Sequence, residues 1–312
     1  MMRALISGVC GQDGSYLADI LLERGYEVYG LYRHSSKDPF DNVRHNLSNP
    51  NFHLIQGDVT DALCLDEIIR KVDPHHVYHE ADQDNVDWSF IHPAYQVDVT
   101  VKAVSNLLAS VRRHCPSAHV FIPCSATMFG DAPAPQTEST PFNPLSPYAC
   151  AKVAAYHLAR MYRQNYGMFV CTGILYNHDS PRRNGNYLLH KICKAAARAE
   201  KIELWDVEDA VHVGYAKDYM YWAFKIMTHD KPDDYTICDT TPSTVGDACF
   251  LAYKEAGLDY SDYMSCNVTS SRPFKSTELF STSDKLRKLG SQLRKPLPVL
   301  IASLVRKYKV PQ

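Results

Sequence analysis

In the stretch SPYACAKVAAY, Tyr148 and Lys152 stand four residues apart, so a helix there puts both on one face. An ammonium beside a phenol draws the tyrosine pKa down from about 10, which makes such a pair a proton acceptor for a hydroxyl whose carbon surrenders a hydride. Ser125 lies upstream, in VFIPCSATMFGD, a stretch that holds hydroxyls and a thiol but, apart from the terminal Asp131, no acid or histidine. A third cluster stands near the N-terminus: ISGVCGQDGSYLADIL places Gly8, Gly11 and Gly14 directly after an apolar run and at the start of a helical pattern. Glycine suits a backbone that must turn sharply and approach a pyrophosphate held at a helix N-terminus. Arg33, with Ser35 and Ser36, follows the second strand, where NAD-specific folds place an acid for the ribose hydroxyls; the cation fits a 2′-phosphate and so favours NADP, with NAD the alternative.

The elements that would position these residues follow from periodicity. RALIS, EVYGL, HLIQG, HHVYH, HVFIP and FVCTGI read as strands, and between them SYLADILLERG, ALCLDEIIRKV, AYQVDVTVKAVSNLLASVRRH and YACAKVAAYHLARMYRQNYG carry apolar residues at helical spacing. The sustained βα order predicts an α/β fold, a doubly wound parallel sheet of Rossmann type over residues 1–175. Residues 176–312, with shorter elements such as KIELW and YTICD, predict a smaller α/β substrate lobe that shares a cleft with the first, with some interleaving. The chain of 312 residues is 45% hydrophobic with a net charge of −2, which offers no field for nucleic acid or an anionic membrane. Ten cysteines stand singly without a CxxC pair, so no metal site is expected and the thiols read as reduced. No apolar run reaches the roughly 20 residues of a membrane span, and MMRALISG reads as a strand entering a turn; a cytoplasmic enzyme is the expectation.

The motifs GQDGSYLADILLERGYEVYGLYRHSS, GDVTDALCLDEII, TPFNPLSPYACAKVAAY, ILYNHDSPRR and AKDYM together resemble the extended short-chain dehydrogenase/reductase superfamily, and within it the GDP-mannose 4,6-dehydratase family. The resemblance implies a nucleotide-sugar enzyme in which a nicotinamide cofactor oxidises C4 of a hexose while the tyrosine takes the hydroxyl proton. It implies catalytic roles for Ser125, Tyr148 and Lys152, and cofactor contacts from Gly8, Gly11, Gln12, Asp13, Gly14, Arg33, Ser35, Ser36, Asp58, Val59, Tyr148 and Lys152. Asn177, Arg182 and Arg272 would hold the sugar nucleotide, a GDP-sugar if the likeness extends to the base, and Asp84 and Thr127 would line the sugar. A homodimer or higher oligomer built on the helices that begin near Pro93 and Tyr148 is implied as well.

The chain departs from that family where the reaction is decided. The dehydratases carry Thr, a small residue and Glu at the positions that read Ser125, Ala126 and Thr127 here, and a threonine hydroxyl cannot replace a placed general base, whose loss costs on the order of 10²–10⁴-fold. The segment SATMFGD resembles UDP-galactose 4-epimerases instead. VHV at 211–213 and Lys275 replace residues expected at the nucleotide, which puts guanine in question. HEADQDNVDW follows the fourth strand, and its Glu80, Asp82 and Asp84 read as a solvated acidic loop or, if buried, as proton carriers. The leading reading is a C4 epimerase or 4-keto reductase; the alternatives are a 4,6-dehydratase with Asp82 or Asp84 as replacement base and a nucleotide-sugar binding protein without catalysis.

Overall fold

Short runs rich in β-branched and aromatic residues become strands, and the amphipathic stretches between them become helices. In the computed structural model, which describes residues 1–204, 206–238, 243–266, 278–290 and 297–309, the order is β1 (Arg3–Ser7), α1 (Gln12–Leu22), β2 (Glu27–Tyr32), β3 (Phe52–Gln56), α2 (Ala62–Val72), β4 (His76–His79), α3 (Val86–Ile91), α4 (Pro93–Gln96), α5 (Ala103–His114), β5 (His119–Ser125), α6 (Pro147–Tyr166) and β6 (Val170–Leu175). It continues with β7 (His178–Asp179), α7 (Leu188–Ala197), β8 (Ile202–Leu204), β9 (Gly214–Tyr215), α8 (Ala216–Met227), β10 (Asp234–Ile237), α9 (Val245–Ala256), β11 (Met264–Cys266), α10 (Asp284–Lys288) and α11 (Leu297–Lys309).

Seven parallel strands form the main sheet in the order β10-β6-β5-β4-β1-β2-β3. The chain winds outward from β1 in both directions, and the reversal beside β1 opens a crevice at the carboxyl ends of the strands. The period-2 alternation of β1 is visible in its packing. Leu5 faces one layer with Leu65, Ile69, Leu107, Val111 and Ala155 of α2, α5 and α6, whereas Ala4 and Ile6 face the other with Leu17, Leu21, Ala223 and Ile226 of α1 and α8. Full burial of one such leucine or isoleucine stabilises the fold by about 1.5–3 kcal/mol. A third cluster packs α7, α9 and α11 through Ile192, Cys249, Ala252, Ile301 and Leu304.

Two features differ from the sequence expectation. YTICD does not belong to the outer lobe: as β10 it pairs with β6. Its Asp234 carboxylate is buried where Thr172 (2.7 Å), Arg163 (2.8 Å) and Tyr156 (3.0 Å) all donate to it, which anchors the strand to the sheet. Residues 176–312 thus divide between the sheet and the α7–α9–α11 cluster. The amphipathic run expected as one helix from Ala94 to His114 is also not uniform, because Val97–Lys102 widens into a π-turn between α4 and α5.

Candidate active site

The loop after β1 is shaped by its glycines. Gly8 has φ +72°, and a Cβ there would run into the Ala81 backbone nitrogen at 2.7 Å; a Cβ on Gly14 would meet the Val9 Cα at 2.8 Å. Gly11 opens α1 with no side-chain cap, so the first-turn N–H groups are free of a side-chain acceptor and suit a diphosphate. Arg33, Ser35 and Ser36 are exposed beyond β2, with Arg33 donating to the Tyr95 hydroxyl at 2.6 Å and the Ser35 Oγ accepting from Lys37 N–H. Past β3, one Asp58 oxygen accepts from the backbone and hydroxyl of Thr60, and Val59 is buried in the core. This cradle of small residues and unspent N–H groups fits a dinucleotide.

The side chains of Gln12 and Asp13 reach across to the segment after β6. Ser180 donates to Gln12 at 2.8 Å, and His178 Nε2 lies 2.9 Å from Asp13 Oδ2. Burial opposes the Asp13 charge, but His178, Arg183 and Gln12 outweigh it and hold the carboxyl below its usual range. Sequence reasoning gave these two side chains to the cofactor; their hydrogen bonds tie the glycine loop to the following lobe.

Helix α6 begins at Pro147 behind the Ser146 cap, whose hydroxyl accepts from Ala149 N–H at 3.1 Å. The i, i+4 spacing then stacks Tyr148 and Lys152 on its inner face, both buried, with Lys152 Nζ 5.8 Å from the phenol ring centre. Ser125 ends β5, lies close enough to the phenol to favour its ionisation, and accepts from the Thr127 hydroxyl at 2.9 Å. The structure therefore brings the three expected catalytic residues together, with Thr127 beside them.

The acids after β4 change the electrostatics of that group. Asp82 is no solvated loop residue: Oδ2 pairs with Lys152 Nζ at 2.6 Å, and Oδ1 accepts from the Thr100 hydroxyl at 2.5 Å and the Gln83 N–H at 2.8 Å. Lys152 also donates to the Pro123 carbonyl at 2.8 Å. Burial works against the ammonium, and Asp82 with Tyr148 outweighs it, holding Lys152 well above the usual lysine range. Tyr148 is pushed up to about 12, first by burial and then by Asp82 and Asp84, with Lys152 and Ser125 opposing. The expected lowering of the phenol is corrected: in the protein alone it is raised, because burial opposes the phenolate and the lysine charge is shared with a carboxylate.

Glu80 lies under the glycine loop with Oε1 shielded from solvent and unpaired, and burial, then Asp13 and Asp82, pushes its carboxyl up to about 8. Asp84 alone of the three is exposed, and its Oδ2 accepts from the Tyr187 hydroxyl at 2.8 Å, with Arg183 at 3.6 Å. Arg183 stacks over the Tyr187 ring at 3.4 Å and donates to the His178 carbonyl.

Arg182, expected at the substrate, is turned the other way. Its guanidinium pairs with Asp19 at 2.6 Å, bonds Ser15 and covers the Tyr16 ring, bracing α1. Its neighbour Arg183 reaches Asp84 instead, and adjacency in SPRR was the only signal for it. Asn177 is exposed, with its carbonyl accepting from Gly214 N–H at 2.9 Å. Arg272 and Lys275 lie outside the described residues. Thr100, Arg183 and Tyr187 went unnoticed in the sequence because each acts through a partner more than 15 residues away. Among the described residues, no group of three or more His, Cys, Asp or Glu is placed to hold a metal, and no helix is long and apolar enough to cross a membrane.

Residues 5–290 match the family model of GDP-mannose 4,6 dehydratase. The chain is 36% identical to GDP-mannose 4,6 dehydratase 2 of Arabidopsis thaliana over 301 residues, 92% of this chain and 81% of the relative. It is 37% identical to the Homo sapiens GDP-mannose 4,6 dehydratase over 249 residues, 75% of this chain and 67% of the relative. By fold it is similar to a UDP-glucose 4-epimerase of Thermotoga maritima (TM-score 0.88, 20% identity, 98% of each chain). It is equally similar to a dTDP-glucose 4,6-dehydratase of Streptomyces venezuelae (TM-score 0.88, 22% identity, 98% of this chain and 97% of that one). A parallel sheet of Rossmann type, a Tyr148–Lys152–Ser125 group at its carboxyl edge and a match over nearly the whole length together make this chain a member of the GDP-mannose 4,6-dehydratase family of extended short-chain dehydrogenase/reductase enzymes.

Proposed function

We propose that the protein is a nucleotide-sugar 4,6-dehydratase acting on a GDP-hexose, with Asp84 in the role that a glutamate at position 127 would otherwise fill. Family membership supports the reaction class. The observation that carries the replacement is the division of labour among the acids: Asp82 is committed to Lys152, Glu80 is shielded, and Asp84 alone is exposed while close enough for its charge to act on the Tyr148 phenol.

In this reading NADP would be held at its diphosphate by the turn at Gly8, Gly11 and Gly14 and the backbone N–H groups of Gln12 and Asp13, at its 2′-phosphate by Arg33, Ser35 and Ser36, and elsewhere by Asp58, Val59, Tyr148 and Lys152. A nicotinamide bound there would supply the hydride acceptor for C4 and the hydride donor for C6. Tyr148 would accept the C4 hydroxyl proton as its phenolate, a form that Lys152 and the positive charge of a bound oxidised nicotinamide favour against the burial that raises it, and Ser125 would hydrogen-bond the same oxygen. The C4 ketone acidifies C5; Asp84 takes the C5 proton and delivers it to the C6 hydroxyl, which leaves as water, and a solvent proton, balanced by the one Tyr148 gives back to solvent, reaches C5 as the hydride returns to C6. Arg183 and Tyr187 fix the Asp84 carboxylate against the sugar, and Asn177 and Arg272 meet the nucleotide side of the substrate. Exposed apolar residues at Phe90 and Ile91 on α3, Val97 in the widened turn and Leu145 ahead of α6 support a homodimer through this part of the molecule.

The test is incubation of the protein and NADP with GDP-mannose and other GDP-hexoses, read by NMR for a 4-keto-6-deoxy sugar. Asp84→Asn should lower its formation by about 10²–10⁴-fold. Full activity in that variant would remove Asp84 from the mechanism. A second reading, C4 epimerisation or 4-ketone reduction, is favoured by one contact: Thr127 spends its hydroxyl on Ser125, which leaves a C4 site complete without any carboxylate at 127.

A further inference from the structure

The carboxylate on Lys152 is built in rather than incidental. Thr100 sits in the widened turn at Val97–Lys102 and gives its proton to Asp82 Oδ1. Buried Gln96 in turn donates to Thr100 at 2.7 Å and accepts from Gln83 at 2.7 Å, and Gln83 Oε1 accepts from Asn85 N–H, the cap residue of α3. Three helix segments and the β4 loop thus converge to fix one oxygen, leaving the other 2.6 Å from Lys152 with both side chains almost fully enclosed. A hydrogen-bonded chain of this length, closed at both ends, leaves the carboxylate little freedom to leave the ammonium.

We propose that Asp82 is a positioning residue that turns the tyrosine–lysine pair into a Tyr148–Lys152–Asp82 unit, in which the carboxylate fixes the ammonium, offsets its charge, and makes the couple hold its proton more tightly. The inference rests on Tyr148 as the acid–base group of the proposed reaction, but its first test needs no substrate. The charged or titratable groups that face the couple are His79 from β4, Glu80, Asp82 and Asp84 from the loop after it, and Cys124 from β5. The raised Tyr148 and Lys152 are consistent with the geometry. Because the two groups titrate as a couple, removing one negative charge lowers the pH of the first proton loss whichever of them gives it up.

The experiment is an NMR titration of protein labelled with ¹³C at tyrosine Cζ and lysine Cε, with Tyr148→Phe and Lys152→Met used to assign the signals. In Asp82→Asn the first proton loss of the couple should fall by at least one pH unit, and in Asp82→Glu it should stay near the wild-type position. Thr100→Val, which loosens the carboxylate and keeps its charge, should move it in the same direction by less. Unchanged titration in Asp82→Asn overturns the proposal; if that variant does not fold, unchanged titration in Thr100→Val overturns it instead. The kcat/KM profile for C4 oxidation should shift in parallel. A moved titration with an unmoved profile would count against Tyr148 as the acid–base group, and so against the proposed reaction, while leaving the role of Asp82 in place.

Discussion

Helix α6 and the loop after β4 meet at the same phenol and obey different rules. The helix is a local device: a cap at Ser146, a proline at its first position and a four-residue spacing suffice to deliver Tyr148 and Lys152 to one face. The loop works through distant partners, since Asp82 depends on Thr100 and Lys152, Asp84 on Tyr187 and Arg183, and Glu80 on having no partner at all for one oxygen. The comparison shows that the helix delivers the proposed catalytic pair, whereas burial and the acids of the loop shift its protonation.

Breaking the helix side should give the largest effect. Tyr148→Phe keeps the shape of the pocket and removes the proton carrier, so turnover should fall by about 10²–10⁴-fold while NADP binding, followed by fluorescence, is retained. Lys152→Met strands the Asp82 carboxylate in a nearly closed site, and chemical denaturation should report a loss of about 3–5 kcal/mol, much of it recovered when Asp82→Asn is added. A loss in the double variant equal to that in the single one would mean that the pair is not coupled.

The loop side gives a pH effect. Glu80 holds its proton more tightly in the folded protein, up to about 8, than in the unfolded chain. The folded state therefore binds more protons between the two values, and stability contributed by this group is present at low pH and lost as pH rises toward 8. Glu80→Gln should flatten that decline, so its melting temperature should gain on the wild type from pH 5 to pH 8; identical slopes would show that Glu80 does not titrate in this window. The smallest effect belongs to Thr127→Val, which removes a neutral hydrogen bond worth about 0.5–1.5 kcal/mol and should slow turnover by roughly tenfold at most.

How much of this was legible in the sequence follows the same division. The strands, the glycine turn and the Tyr148–Lys152 face are local patterns, and the chain reads them out within a few residues. The loop residues were conspicuous by type, yet a solvated stretch was the natural reading, because nothing local reveals that Asp82 has Lys152 70 positions away as its counter-ion. Arg182 and Arg183 present the same difficulty in miniature: adjacent residues point to opposite sides, and only the packing of Asp19 and Tyr16 on α1 decides which one braces the helix. YTICD likewise had the composition of a strand but no signal for its sheet, which Arg163, Thr172 and Tyr156 select through the buried Asp234.

The central claim, that this site removes the C5 proton and the C6 hydroxyl despite the threonine at 127, is tested most directly by turnover of the GDP-hexose with NADP in heavy water. Elimination across C5 and C6 exchanges the C5 hydrogen with solvent, so the account predicts a 4-keto-6-deoxy product carrying deuterium at C5. A product that keeps its 6-hydroxyl and its C5 hydrogen, with a change at C4 alone, would contradict it and give the site to epimerisation or 4-ketone reduction.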